Sequence, residues 1–308
     1  MVNKRIGRHS IEISNTDKVL FPKDGVTKGD LIDYYCKIAE VMLSHIRDRP
    51  LTLHRFPDGI DADGFYQQQS ADYFPGWIKT RKVPHAEDRD DATVEHVLCN
   101  DQETLAYLAN QAVITLHGWL ARAPRLNRPD RLIFDLDPAS SSGFDAVRRA
   151  AQQVIELMHN MGMTPYVMTT GSRGLHVVTP LKPVADFDAV RKLAQDMAGI
   201  LARHHEKELT VEQRKDKRSG RIYLDVMRNA YGQTAVMPYA VRAIAGAPVA
   251  TPVDLDELDK GTLDPQRWNI NNILRRLGQK EDPWSAIQRH GVTIDRARKI
   301  LNGMSDND

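Results

Sequence analysis

Between Arg131 and Arg228 apolar segments recur in the order strand, helix, strand, strand, helix, strand, and few folds accommodate that order. Arg131–Asp137 reads as an apolar strand, and Phe144–Met161 as an amphipathic helix. Two strands follow, Thr164–Thr170 and Leu175–Pro180, joined by the turn Gly171-Ser172-Arg173-Gly174. A helix over Phe187–Glu206 and a last strand over Arg221–Met227 complete the set. This is the split βαβ pattern, a βαββαβ module of the ferredoxin or RRM type within an α+β chain. Unrelated proteins share the plan, so it fixes architecture and leaves function open.

Around this module the pattern is looser. Residues 1–24 read as short strands and turns that stop at Phe21-Pro22-Lys23-Asp24-Gly25. Thr27 is placed to cap a helix over Lys28–Ser44, whose Leu31, Tyr35, Ile38 and Met42 recur at helical spacing. Strands are expected at Leu51–Arg55 and Thr93–Leu98, and a second helix over Asp101–Trp119. Prolines 248, 252 and 265 break up the tail, where helices are expected over Leu263–Leu277 and Ser285–Leu301, with a frayed end at Ser305-Asp306-Asn307-Asp308. The expected organisation is one domain over 1–308: an N-terminal α/β subdomain (1–125), a palm-like module (126–245) and a C-terminal helical extension (246–308).

Asp135 and Asp137 are two apart on the first strand of the module, so both side chains leave the same face. Two carboxylates that close repel, and partial burial sharpens the conflict. A hard divalent cation such as magnesium or manganese relieves it, using one or two carboxylates together with substrate phosphates. Asp225 interrupts the last strand. The first strand of a ferredoxin-like sheet lies between the third and the fourth, so Asp225 is expected on one neighbour of Asp135 and His176 on the other. Three acids on one sheet surface suit two-metal phosphoryl transfer. The competing reading is that Asp135 and Asp137 end the strand and, with the serine-rich loop after Pro138, cap the next helix.

The turn Thr170-Gly171-Ser172-Arg173-Gly174 offers backbone N–H groups, the Thr170 and Ser172 hydroxyls and the Arg173 charge to an anion, with His176 just beyond it. It is neither a P-loop nor a dinucleotide fingerprint, and an ordinary hairpin has the same composition. Arg228 and Arg242 are candidates to neutralise a triphosphate. Lys215, Lys217, Arg218 and Arg221 form a basic run, read first as a solvated loop and second as a nucleic-acid contact. That charge is local, because the 308-residue chain carries a net charge of only +1. No apolar run approaches the ~18 residues of a membrane span. The cysteines, Cys36 and Cys99, exclude a disulfide framework and fit a reducing cytoplasm. His96 and Cys99 have no second pair to complete a zinc site.

In combination these motifs resemble the polymerase domain of bacterial ATP-dependent DNA ligase D, in the archaeo-eukaryotic primase superfamily. The resemblance is carried by Asp135-Leu136-Asp137-Pro138, by Thr170 to His176, and by Leu224-Asp225 with Arg228. The opening Ser14-Asn15-Thr16-Asp17-Lys18-Val19-Leu20-Phe21-Pro22 and the Gly25–Tyr35 stretch belong to it as well. It spans essentially the whole chain and implies a primase-type polymerase. Such an enzyme adds ribonucleotides, and also deoxynucleotides, to DNA primer ends with manganese or magnesium, two ions being expected. It fills gaps and extends ends at double-strand breaks in nonhomologous end joining, with Ku and with ligase and nuclease modules as partners.

By the same resemblance Asp135, Asp137 and Asp225 are the catalytic metal ligands. Ser172, His176 and Arg228 contact the triphosphate of the incoming nucleotide, and His117 lies near that nucleotide. Lys18 and Lys28 hold the 5′-phosphate beyond a gap, and Phe65 and Tyr66 stack near the template. His54 departs from the pattern, standing where some relatives carry a further lysine; Arg55 is the candidate to compensate. The implied location is the bacterial cytoplasm, on the nucleoid. Two rivals stay in view: a metal-dependent phosphohydrolase, and a non-catalytic module that binds DNA ends.

Overall fold

Leu132, Phe134 and Leu136 turn to one side of the Arg131–Asp137 strand and are fully buried, in a core shared with Val147, Val154 and Met158 of one helix and Val190, Leu193 and Met197 of another. Those helices, Phe144–Asn160 and Phe187–His204, cover a single face of the sheet. The second begins at Asp186, whose carboxylate accepts from the Ala189 N–H at 2.9 Å. The sheet runs in the order Leu209–Thr210, Ile222–Asp225, Arg131–Asp137, Leu175–Pro180, Tyr166–Thr169, Thr251–Val253. Its four inner strands pair antiparallel throughout, with the first strand of the module between the fourth and the third. That is the expected ferredoxin-like order.

The computed structural model describes residues 1–84, 92–139 and 143–305. They group into two compact units. One holds Met1–Pro124, Thr234–Thr251 and Gln266–Asp282, and the other Arg125–Gln233, Pro252–Pro265 and Pro283–Asp308. Apart from Thr251 of its edge strand, the sheet just described belongs to the second unit. The serines after Ala139 and the last three residues of the tail lie outside the described residues.

In the first unit the Lys28–Ile46 helix starts with a reciprocal capping box: the Asp30 N–H donates to the Thr27 hydroxyl and the Thr27 N–H to the Asp30 carboxylate. The expected Asp101–Trp119 helix divides. Asp101 caps a helix over Gln102–Asn110, Ala112 turns the chain at φ +56°, and Val113–Trp119 is a strand. That strand is interior to the sheet Thr234–Val236, Val113–Trp119, Leu51–Arg55, Phe65–Gln67. Val113, Ile114, Thr115 and Leu116 are all buried, so the sequence lacks the alternation that marks a half-exposed strand. In the tail, Leu263–Leu277 is helical only over Ile273–Leu277. Ser285–Leu301 resolves into a 3-10 turn at Ile287–His290 and a helix over Ile294–Ser305.

The later segments of the first unit are tied to its first helix by buried polar groups. Tyr239 holds a left-handed backbone, φ +67°, rare for a bulky residue. Its carbonyl accepts from the Tyr34 hydroxyl at 2.8 Å, and its own hydroxyl donates to Asp282 Oδ1 at 2.7 Å. The other Asp282 oxygen meets His45 Nε2 at 2.7 Å. Asp282→Ala leaves these buried partners unsatisfied and is expected to cost about 3 kcal/mol of stability, read as a lowered urea midpoint.

Candidate active site

On the sheet face opposite the two helices, the register aligns Asp225, Asp135, His176 and Met168 in one row across four strands. Asp137, two residues beyond Asp135 and opposite Tyr223, leaves the same face. The three aspartates are thus neighbours on one surface, as the strand order requires. The helix after Pro138 starts at Phe144 behind Gly143, which offers it no side-chain cap.

Asp135 lies between His176 and Arg228. His176 Nε2 is 3.4 Å from one carboxylate oxygen and Arg228 Nε 3.4 Å from the other. Burial works to raise its pKa, but the charge and hydrogen bond of His176, then of Arg228, outweigh it and bring it down to about 2. Asp225 moves the other way. Burial pushes its carboxyl above the usual value and the adjacent Asp135 carboxylate adds to this, against a hydrogen bond from the Met227 N–H at 2.8 Å. Two neighbouring acids driven apart in this manner are the repelling pair that a shared cation relieves.

Among the described residues no three His, Cys, Asp or Glu side chains are gathered into a metal cage. The donor set nevertheless fits magnesium or manganese, since it is all carboxylate oxygen. These ions take one or two carboxylates and complete their shells with water and substrate phosphates.

The turn beside the row is ordered from within. The Thr170 hydroxyl accepts from the Ser172 and Gly174 N–H groups at 3.3 and 3.2 Å and donates to the Gly174 carbonyl at 3.1 Å. Thr170 is buried and its hydroxyl ties the turn together, and Gly171 supplies the required positive φ of +65°. Gly174 passes so close to the first strand that a Cβ there would lie 2.1 Å from the Leu136 carbonyl oxygen and 2.6 Å from Asp137 Oδ1. The exposed Arg173 approaches Asp137 to 4.0 Å.

The remaining candidates lie in the first unit. Lys28 is buried and donates to the Asn110 carbonyl at 3.2 Å and the Ser14 hydroxyl at 3.3 Å. Its pKa is lowered by burial and then by the charge of Lys18, so the two ammonium groups feel each other. Lys18 pairs with Asp58 at 2.7 Å. Phe65 and Tyr66 are exposed. The Tyr66 ring stacks on His54 with centroids 4.0 Å apart and planes 12° from parallel, and His117 meets Tyr66 edge-on at 5.8 Å. Burial, then Arg242, holds His54 below its usual pKa. Arg55 donates to the Gln111 carbonyl, Gln67 Oε1 and the Tyr73 hydroxyl, and lies 5.4 Å from the Phe65 ring centre. These bonds hold its guanidinium beside the Phe65 ring.

The family model described as LigD, primase-polymerase domain, matches residues 27–284. The chain belongs to this family. Its relatives include the multifunctional non-homologous end joining protein LigD of Mycolicibacterium smegmatis, 31% identical over 93% of this chain and 37% of the relative. The LigD of Pseudomonas aeruginosa is 29% identical over 97% of this chain and 36% of its own length. The chain therefore spans well under half of these relatives. Among solved structures, the polymerase domain from Mycobacterium tuberculosis ligase D in complex with DNA matches with a TM-score of 0.85 and 30% identity, covering 91% of this chain and 99% of that one. A LigD primase-polymerase domain is a DNA-directed nucleotidyltransferase, and the mixed α/β fold found here is the family's.

Sequence reading of this LigD primase-polymerase domain missed two features of the site. One is Asn229, wholly buried beside the aspartate row. The other is Arg218, whose guanidinium lies 4.2 Å from the centre of the Tyr223 ring, opposite Asp137 in the ladder. The sequence reads the run containing Arg218 first as a solvated loop and second as a nucleic-acid contact. Arg218 and Arg221 instead spend donors on the loop's own carbonyls.

Proposed function

We propose that this chain adds ribonucleotides, and less readily deoxynucleotides, to DNA primer ends, filling gaps and extending ends in nonhomologous end joining. The observation that carries the proposal is the row in which Asp225 stands opposite Asp135, with Asp137 on the same face and the Thr170–Gly174 turn alongside. Asp135, Asp137 and Asp225 would hold two manganese or magnesium ions. Such ions lower the pKa of the primer 3′-hydroxyl and neutralise the leaving pyrophosphate.

The chain's own groups supply the rest. Ser172 and Arg173 face the triphosphate, and Thr170 and Gly174 keep the turn in shape. His176 and Arg228 both fix the Asp135 carboxylate and offer donors to phosphate oxygens. In the other unit Lys18 and Lys28 receive a 5′-phosphate, whose charge relieves the two ammonium groups. Phe65 and Tyr66 present ring faces to template bases, Tyr66 held in orientation by His54. His117 and Arg242 border that aromatic cluster and are assigned to the incoming nucleotide. Ku and the ligase and nuclease modules of ligase D are the expected partners, on the bacterial nucleoid. No helix among the described residues is long and apolar enough to cross a membrane.

The test is extension across a gapped duplex bearing a 5′-phosphate or a 5′-hydroxyl, with ribo- and deoxynucleotides offered separately in manganese or magnesium. The proposal expects faster extension with ribonucleotides and on the phosphorylated gap. Lys18→Ala is expected to weaken binding of the phosphorylated gap about tenfold and to leave the hydroxyl gap unchanged. Equal binding of both gaps by parent and variant would remove the lysines from the assignment.

A further inference from the structure

The Ile222–Asp225 strand pairs with Arg131–Asp137 only from Tyr223, opposite Asp137, to Asp225, opposite Asp135. Had it continued, the register would bring residue 227 opposite Ile133. Instead the chain leaves the sheet in a 3-10 turn over Met227–Asn229. The vacated place is taken by a side chain. Asn229 Nδ2 donates to the Ile133 carbonyl at 2.8 Å, and the Ile133 N–H donates to Asn229 Oδ1 at 2.9 Å. The amide thereby reproduces the paired exchange of hydrogen bonds that the next strand residue would make. Nδ2 also donates to the Val226 carbonyl at 2.8 Å, closing the turn, and Asn229 is 0% exposed.

Two ends of the reactive surface meet at this latch. Ile133 is two residues from Asp135 on the same strand. The closed turn contains Met227, whose N–H holds the Asp225 carboxylate, and Arg228, which holds Asp135. We infer that Asn229 is a positioning residue: by standing in for a strand residue it sets Asp225 and Arg228 against Asp135 in the geometry that nucleotide addition needs. The inference rests on the reading of the aspartate row as the metal and nucleotide site. Groups that orient ligating carboxylates without touching the metal typically change affinity or activity by about 10–100-fold when removed.

The test compares Asn229→Ala with Val154→Ala, a core truncation in the Phe144–Asn160 helix on the far side of the sheet. Manganese affinity is measured by titration calorimetry with a nucleoside triphosphate and no primer. Turnover and triphosphate KM are measured in parallel, all below the melting transition of both variants. Asn229→Ala is expected to lower manganese affinity and kcat about tenfold or more, while Val154→Ala keeps both despite its lost stability. A folded Asn229→Ala with the parent's manganese affinity and kcat overturns the inference. Should the variant not fold, amide exchange in the parent decides: the Ile133 amide must be protected like its ladder neighbours, and rapid exchange there overturns the latch. A parent that binds no manganese contradicts the metal reading of the row and not the latch.

Discussion

Asp135→Asn is expected to reduce nucleotide addition about a thousandfold while leaving the chain folded, because stabilisation by bound metal is worth several kcal/mol in the transition state and each 1.36 kcal/mol is tenfold in rate. The substitution keeps the side chain's size and removes only its charge. Asp135 stands between Asp225 and His176 in the ladder and is held by His176 and Arg228, the central position of the row. With a pKa of about 2 it is ionised at neutral pH. The check is single-nucleotide addition by parent and variant at equal folded concentration, with far-UV circular dichroism to confirm the fold. Addition within tenfold of the parent would exclude Asp135 from metal binding.

Gly174→Ala is the second large effect. The added methyl would lie 2.1 Å from the Leu136 carbonyl oxygen and 2.6 Å from Asp137 Oδ1, and the first of these is backbone in the middle of a sheet. Either the Thr170–Gly174 turn detaches, losing the bonds from Thr170 to the Gly174 carbonyl, or the end of the first strand is displaced together with Asp137. Overpacking of this kind costs about 3 kcal/mol. The expected result is a lower urea midpoint together with a large loss of kcat, since the clash falls on Asp137, which is proposed as a metal ligand. Parental stability and turnover in Gly174→Ala would show that the turn and strand do not approach each other so closely.

The first strand of the inner sheet was legible because its side chains alternate. Leu132, Phe134 and Leu136 face the helices and Asp135 and Asp137 face away, so both strand order and the shared acidic face followed from period and topology. The strand Val113–Trp119 was hidden for the opposite reason. Burial on both faces erased the period, and the apolar run merged with the preceding helix. Short strands such as Leu209–Thr210 and Thr234–Val236 carry too few residues to show any period. Thr170 and Ser172 look alike in sequence, and only the turn's hydrogen bonds show that the Thr170 hydroxyl is the one that ties it together. The stacking of His54 on Tyr66 depends on their pairing across two strands, which no local pattern discloses. Asn229 escaped notice because an asparagine after a strand reads as an ordinary turn residue.

The most direct test of the central claim is whether pyrophosphate release is coupled to primer growth. Parent protein is incubated with a phosphorylated gapped duplex, manganese and one ribonucleoside triphosphate, and both products are counted. One pyrophosphate per nucleotide added, with neither product formed when primer or metal is omitted, is the result expected of a primase-type polymerase built on Asp135, Asp137 and Asp225. Phosphate released without a primer would point to a phosphohydrolase, and DNA bound with no product at all to an end-binding module; either contradicts the account.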